Sequence, residues 1–215
     1  MELVIFDCDG VLIDSEAIAC AADAEALSDI GYPITTERVV ERFAGVPADA
    51  MYETIEAEMG RALPAGFKDQ VDQRILDKYR MELKPIEGIK AVLSEIRIKK
   101  CVASSSTPSK LALGLVETGV FDLVYPHVFS TVLVEHGKPH PDIFLHAARM
   151  MGVEVAKCVV VEDSVAGVTA AKAAGMRAIG FTGGSHCSSD HADKLIAVGA
   201  DTVIDEMHLL PHALR

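Results

Sequence analysis

The chain has 215 residues, half of them apolar and 24% charged, which excludes a disordered or fibrous polypeptide and suits one large domain or one domain carrying an insert. Acidic residues outnumber basic ones by 32 to 20, a formal net charge of −12, so neither nucleic acid nor an anionic membrane is expected as a partner, and any anionic ligand must be small and met by local positive charge. No apolar run reaches the roughly 18 residues of a membrane span, the N-terminal stretch lacks the basic flank of a signal peptide, and five scattered cysteines without a Cys-x-x-Cys pair read as reduced thiols of a cytoplasmic protein.

The first predicted element is a short apolar strand over residues 3–6, running into Asp7-Cys8-Asp9-Gly10-Val11. Two aspartates two apart point the same way in an extended chain. Like charges that close stay ionised together only with a cation between them, and a glycine lets the chain turn away at once. Alone, such a pair is equally a solvated loop; its place behind an apolar strand favours chemistry.

From residue 15 to about 81 the spacing predicts helices and no strand. Cys20, Ala24 and Leu27 share one face, ending near Gly31-Tyr32-Pro33. Thr35-Thr36-Glu37 starts a second helix, and Pro47 suits the first turn of a third that carries Ala48, Met51, Tyr52, Ile55 and Met59 and stops at Gly60. A fourth runs over about 66–81 with Phe67, Val71 and Ile75. We read 15–81 as a small helical insert whose methionines belong to its own core, rejoining the main domain near Pro85.

Beyond it, apolar runs at 101–103, 128–133, 158–161 and 178–181 alternate with helical patterns such as Ile89, Val92, Leu93, Ile96 and Ile143, Ala147, Met150, Met151. This alternation predicts an α/β fold with a doubly wound parallel sheet, made of residues 1–14 and 82–215, whose ligands bind beyond the carboxyl ends of the strands. Polar clusters follow those ends. Ser104-Ser105-Ser106-Thr107-Pro108 suits an anion site or an ordinary helix cap. Lys138, between Gly137 and Pro139, is a cation for a site or a solvated loop lysine. Glu162-Asp163-Ser164 offers acids that cap a helix or bind a hard cation such as magnesium. Acids, hydroxyls, a lysine and more acids at four strand ends together supply what phosphoryl transfer needs. His186, Cys187 and His191 are metal-ligand types, but glycine and serine dominate their segment, which reads as a flexible surface loop.

The motifs Asp7-Cys8-Asp9-Gly10-Val11-Leu12-Ile13-Asp14-Ser15-Glu16, Ala103-Ser104-Ser105-Ser106, Gly137-Lys138-Pro139-His140-Pro141-Asp142 and Glu162-Asp163-Ser164-Val165-Ala166-Gly167 resemble, in order and along nearly the whole chain, those of the haloacid dehalogenase superfamily. The likeness is to its phosphatase and phosphomutase branch, with a helical cap after the first strand. It implies Asp7 as nucleophile forming an aspartyl-phosphate, Asp9 as acid and then base, Ser104 and the Ser105 amide on phosphate oxygens, and Lys138 bridging Asp7 and the phosphate. It also implies Mg²⁺ held by Asp7, the Asp9 carbonyl and Asp163, with Glu162 assisting. Members that cleave carbon–halogen bonds lack an acid at the place of Asp9, so a dehalogenase is not expected.

Arg42-Phe43-Ala44-Gly45-Val46-Pro47-Ala48 resembles the specificity loop of the β-phosphoglucomutase-like members, which carry a lysine and an arginine where this chain has Ala44 and Ala48. Missing both cations, the loop points to simple hydrolysis, with Gly45, Val46 and Arg42 toward substrate; Arg42 or Arg38 standing in for the lost clamp is the mutase alternative. The resemblance implies a phosphatase of a sugar phosphate or phosphorylated sugar acid, closest to sugar-phosphatase members including 6-phosphogluconate phosphatase-like proteins. Phosphoglycolate is an alternative substrate and a non-catalytic phosphate-binding module an alternative class. A monomer or weak homo-oligomer is the default.

Overall fold

The structure, a computed structural model, describes residues 1–43 and 46–215. Among them a parallel sheet runs in the order β3-β2-β1-β4-β5-β6, built from β1 Leu3–Phe6, β2 Lys99–Ser104, β3 Val128–Ser130, β4 Cys158–Glu162, β5 Arg177–Phe181 and β6 Thr202–Ile204. Strand order reverses at β1, whose Phe6 lies beside Val102 on one side and Val161 on the other. Such a reversal opens a crevice at the carboxyl ends of the central strands. Asp7 is the next residue, its amide donating to Val161 O at 2.9 Å.

All four residues of β1 are buried because helices cover both sheet faces. Side chains alternate along the strand: Val4 and Phe6 join one apolar cluster with Val102, Val161 and Leu115, while Leu3 and Ile5 join another with Cys101, Ile143, Phe144 and Val160.

Between β1 and β2 lie α1 Glu16–Asp29, α2 Thr36–Phe43, α3 Ala48–Met59 and α4 Phe67–Glu82, followed by α5 Ile89–Glu95. Of the predicted faces, Cys20, Ala24 and Leu27, then Met51, Tyr52 and Ile55, then Phe67, Val71 and Ile75 are buried, whereas Ala48 is exposed and Met59 half-buried; Val39, Phe43 and Tyr79 are buried with them. The Tyr52 and Phe67 rings meet edge to face at 5.5 Å. Gly60, at φ 64°, ends α3 in the left-handed conformation that glycine adopts freely. After β2 come α6 Pro108–Glu117, α7 Phe121–Val124, α8 Asp142–Met151, α9 Val165–Ala173, α10 His191–Ala197 and α11 Leu210–Ala213. Helices α4 and α6 approach closely at Gly114, where a Cβ would stand 2.8 Å from Ile13 Cδ1 and 3.6 Å from the Tyr79 ring.

Two expectations need correction. The strand predicted over 128–133 ends at Ser130; residues 131–133 form a tight helical turn that leaves Val132 and Leu133 exposed. Met150 is exposed, outside the buried face of α8. The short β6 adds an edge strand beyond the predicted ones. Cys8, Cys20, Cys101 and Cys158 are buried free thiols, and Cys187 is half-buried. Among the described residues no helix is long and apolar enough to cross a membrane.

Candidate active site

The end of β1 delivers a buried Asp7 into the crevice, and the loop before α8 delivers Lys138 to meet it. The Lys138 ammonium donates to Asp7 Oδ1, to Glu162 Oε1 at 2.7 Å and to the Ala103 carbonyl at 3.1 Å, one acceptor for each N–H. Glu162, the last residue of β4, uses its second oxygen to accept from the amide (2.8 Å) and hydroxyl (3.0 Å) of Ser164. It packs so tightly on α9 that a Cβ at Gly167 would fall 1.8 Å from Oε1. Ser164 also caps α9 by accepting from Gly167 N at 2.9 Å, so the serine, not either acid, does the capping.

Asp163 follows Glu162. Its Oδ2 accepts from His186 Nε2 at 3.0 Å, and its carbonyl lies 2.5 Å from His191 Nε2. Carboxylate oxygens of Asp7, Glu162 and Asp163 all lie within 4.8 Å of one another, and all three residues are buried. Burial pushes the Asp7 carboxyl well above the usual range; Lys138 pulls it down, and Glu162, Asp163 and Asp9 push it further up. Glu162 is raised by burial in the same way, against Lys138. For Lys138, burial works against the ammonium, but the charges of Asp7 and Glu162 outweigh it and hold its pKa above the ordinary value. Three buried carboxylates facing one ammonium, all oxygen donors, form a set that fits a hard divalent cation.

Asp9 sits among hydroxyls. Its Oδ1 accepts from Ser15 (2.7 Å) and lies 3.5 Å from Tyr79 Oη; its Oδ2 accepts from Ser106 (2.6 Å) and Ser104 (3.3 Å). The Ser104 hydroxyl in turn accepts from the Ser106 amide at 2.9 Å, which shapes the turn after β2.

These groups open into a cavity of about 550 Å³. Asp7, Asp9, Ser104, Ser105, Lys138, Glu162 and Asp163 line it on the sheet side, as expected. The helical side contributes Val39, Phe43, Val46, Met51 and Tyr52, with Asp23, Asp72 and Lys68, and α6 of the main domain adds Lys110. Of the residues expected near substrate in the specificity loop, Val46 lines the cavity and Gly45 lies outside the described residues. Arg42 is not brought to the site. Its guanidinium pairs with Glu58 of α3, donates to Tyr32 Oη at 3.0 Å and stacks over the Phe43 ring. Val39 and Phe43 occupy the buried side of α2, which leaves Arg42 turned toward α3. Arg38 pairs on the surface with Glu41.

Two further groups of residues belong to the site. Ser15, Ser106 and Tyr79 surround Asp9; the first two stand within the quoted motifs, while nothing in the spacing of Tyr79 distinguishes it from a core residue. Lys68 of α4 and Lys110 of α6 also line the cavity, each ion-paired, with Asp49 and Asp72 respectively. The surface-loop reading of His186, Cys187 and His191 is also corrected: His186 is buried against Asp163. Burial disfavours its charged ring, yet the bonds to Asp163 and Cys187 outweigh this and push its pKa up to about 11. The signal was position, since this segment follows the carboxyl end of β5 as the other site segments follow theirs.

Fold and site define an α/β enzyme with an acid-and-lysine centre at the sheet's switch point. A profile of the haloacid dehalogenase-like hydrolases matches residues 1–175. The chain is 32% identical over 187 residues to 6-phosphogluconate phosphatase of Escherichia coli (86% of this chain, 85% of that one). It is 31% identical over 219 residues to beta-phosphoglucomutase of Bacillus subtilis (97% and 94%). It superposes with a TM-score of 0.89 on the crystal structure of a haloacid dehalogenase-like protein of unknown function from Agrobacterium tumefaciens, at 41% identity over 100% of this chain and 97% of that one. The chain belongs to the haloacid dehalogenase-like hydrolase family and is an enzyme of its phosphoric monoester hydrolase branch.

Proposed function

We propose that the chain is a Mg²⁺-dependent phosphatase of a phosphorylated sugar or sugar acid, working in the cytoplasm, with residues 15–81 as a cap over the pocket. The observation that carries the reading is Lys138 spanning Asp7 and Glu162 beside Asp163: a carboxylate held where its charge is partly cancelled, in a pocket of phosphate-ester size. Asp7 attacks phosphorus, the ester bond breaks, and Asp9 gives its proton to the departing alkoxide. Asp9 then takes a proton from water, whose oxygen attacks the phosphorus of the aspartyl-phosphate, restoring Asp7 and releasing phosphate. Ser104 and the Ser105 amide hold non-bridging oxygens, and Lys138 offsets the repulsion between carboxylate and dianion. Asp7, Asp163 and the Asp9 carbonyl would hold Mg²⁺, with Glu162 fixing Lys138 and the start of α9. When bound, the ion supplies charge neutralisation of the transferring group.

Lys68 and Lys110 across the cavity favour a substrate with a second anionic or hydroxylated end, which a sugar acid has. The same lysines support the mutase as a second reading, because they offer cations for a second phosphate. Incubating the purified chain with Mg²⁺ and a panel of phosphorylated sugars and sugar acids tests both. Free phosphate released with one turnover per ester supports the phosphatase, an isomeric sugar phosphate the mutase. No reaction with the panel or with an aryl phosphate refutes catalysis altogether.

A further inference from the structure

The segment after β5 brings together donors that the phosphatase reading does not use. His186, Cys187 and His191 place a ring nitrogen, a sulfur and a second ring nitrogen within 4.8 Å of one another. The Cys187 sulfur is 3.5 Å from His186 Nε2, and that nitrogen is 3.0 Å from Asp163 Oδ2. His191 reaches the same aspartate from the first turn of α10, through its carbonyl.

His186 is buried, and its Nδ1 has no hydrogen-bond partner. All of the ring's polar contacts are therefore on the Nε2 side, facing the sulfur and the carboxylate. Space for the ring is made by glycines: a Cβ at Gly10 would fall 2.9 Å from its Cε1, and one at Gly184 2.9 Å from its Nδ1. Cys187 and His191 are half-buried, which leaves an approach from solvent.

We propose that His186, Cys187 and His191 form a second cation site, for a transition metal of the zinc class, joined to the oxygen-donor centre through Asp163, which both histidines touch. Imidazole and thiolate donors suit zinc and its neighbours and are poor ligands for magnesium, which prefers an all-oxygen set. Three such donors leave the fourth position of a tetrahedral zinc to water or to the adjoining Asp163. The cation takes the place of the protons that now link His186 to the Asp163 carboxylate and His191 to its carbonyl, and the Cys187 thiol gives up its proton to become a ligand. Both sites then draw on one aspartate. Zinc here pulls Asp163 away from the catalytic cation and slows hydrolysis, a consequence that rests on the phosphatase reading, whereas the binding itself does not.

The test is a titration of the purified, chelator-treated full chain with Zn²⁺, and in parallel with Co²⁺ as a coloured substitute. A thiolate-to-cobalt charge-transfer band in the wild type, and affinity for Zn²⁺ weaker by about 10–100-fold in both Cys187→Ser and His191→Gln, are the expected results. Cobalt spectra without that band, or equal Zn²⁺ affinity in all three proteins, would overturn the site. For the link through Asp163, Zn²⁺ should inhibit Mg²⁺-supported hydrolysis in the wild type and far less in Cys187→Ser, whose uninhibited rate stays that of the wild type. Inhibition unchanged in that variant would overturn the link, and the binding arm reads out whether or not an ester is hydrolysed.

Discussion

Gly10 and Asp163 are in contact to the point that no side chain fits between them: a Cβ on residue 10 would stand 1.9 Å from Asp163 Oδ2. Gly10 also has φ 75°, a conformation other residues adopt at a cost of about 1 kcal/mol. Gly10→Ala should displace Asp163 and raise the Mg²⁺ concentration for half-maximal activity by about tenfold or more. A magnesium titration of the variant's activity checks this, and an unchanged half-saturation point would show that Asp163 is not a ligand.

Removing the positive partner of a buried pair leaves uncompensated charge, so Lys138→Met should cost about 3–5 kcal/mol of stability and nearly all activity. Because the carboxylates left behind still want a cation, Mg²⁺ should raise the Tm of this variant more than that of the wild type. Thermal unfolding of both proteins with and without Mg²⁺ gives the comparison.

Asp7→Asn keeps the shape of the side chain and removes its nucleophilicity. Activity should fall by about 10⁴-fold or more while unfolding stays cooperative. Phosphate release from an aryl ester, measured with and without chelator, decides it: metal-dependent turnover persisting in the variant contradicts the role given to Asp7.

Asp23, buried in α1 and accepting from Tyr52 Oη at 2.6 Å, has its pKa pushed by burial to about 6, against Tyr52 and Lys110. A carboxyl raised in the folded state favours folding while protonated, so its contribution is complete below the unfolded value near 3.8 and is lost as pH rises through about 6. Asp23→Asn, which keeps the acceptor and drops the titration, should therefore gain on the wild type by about 2 kcal/mol between pH 4 and pH 7. Urea unfolding of the two proteins at those pH values measures the difference; a constant gap would place the titration elsewhere.

Lys110 bridges cavity and helix, pairing with Asp72 at 2.5 Å. Lys110→Ala should raise KM about tenfold for a substrate with a distant carboxylate and leave an aryl phosphate, which has no second charged group, within about twofold. Equal effects on both would remove Lys110 from substrate recognition.

Much of this was legible before any coordinates because the chemistry lies where periodicity changes. Apolar runs mark five of the strands, and polar residues at the ends of three of them are Asp7, Ser104 and the Glu162–Asp163 pair, while Lys138 lies in the loop between β3 and α8. β6 escaped because Thr202-Val203-Ile204 is a three-residue edge strand with two partly exposed positions, too short for any pattern. Arg42 misled because a side chain one residue from Phe43 on α2 can face either pocket or neighbouring helix, and Glu58, far away in sequence, decided it. His186 misled by its company: a glycine- and serine-rich run looks solvated, while here the glycines make room for a buried ring.

The bare Cα of Gly114 has a bearing on how substrate gets in. With no side chain there, α6 lies directly on Tyr79 and the neighbouring Leu83, and the Lys110–Asp72 pair ties the same two helices a turn away. A wide, door-like opening of the helical layer would wet Ile13, Leu83 and Tyr79 together, at roughly 1.5–3 kcal/mol for each. Sliding of α4 along α6 would keep these side chains dry, so α6 is the rail on which a moving helical layer would travel at least cost.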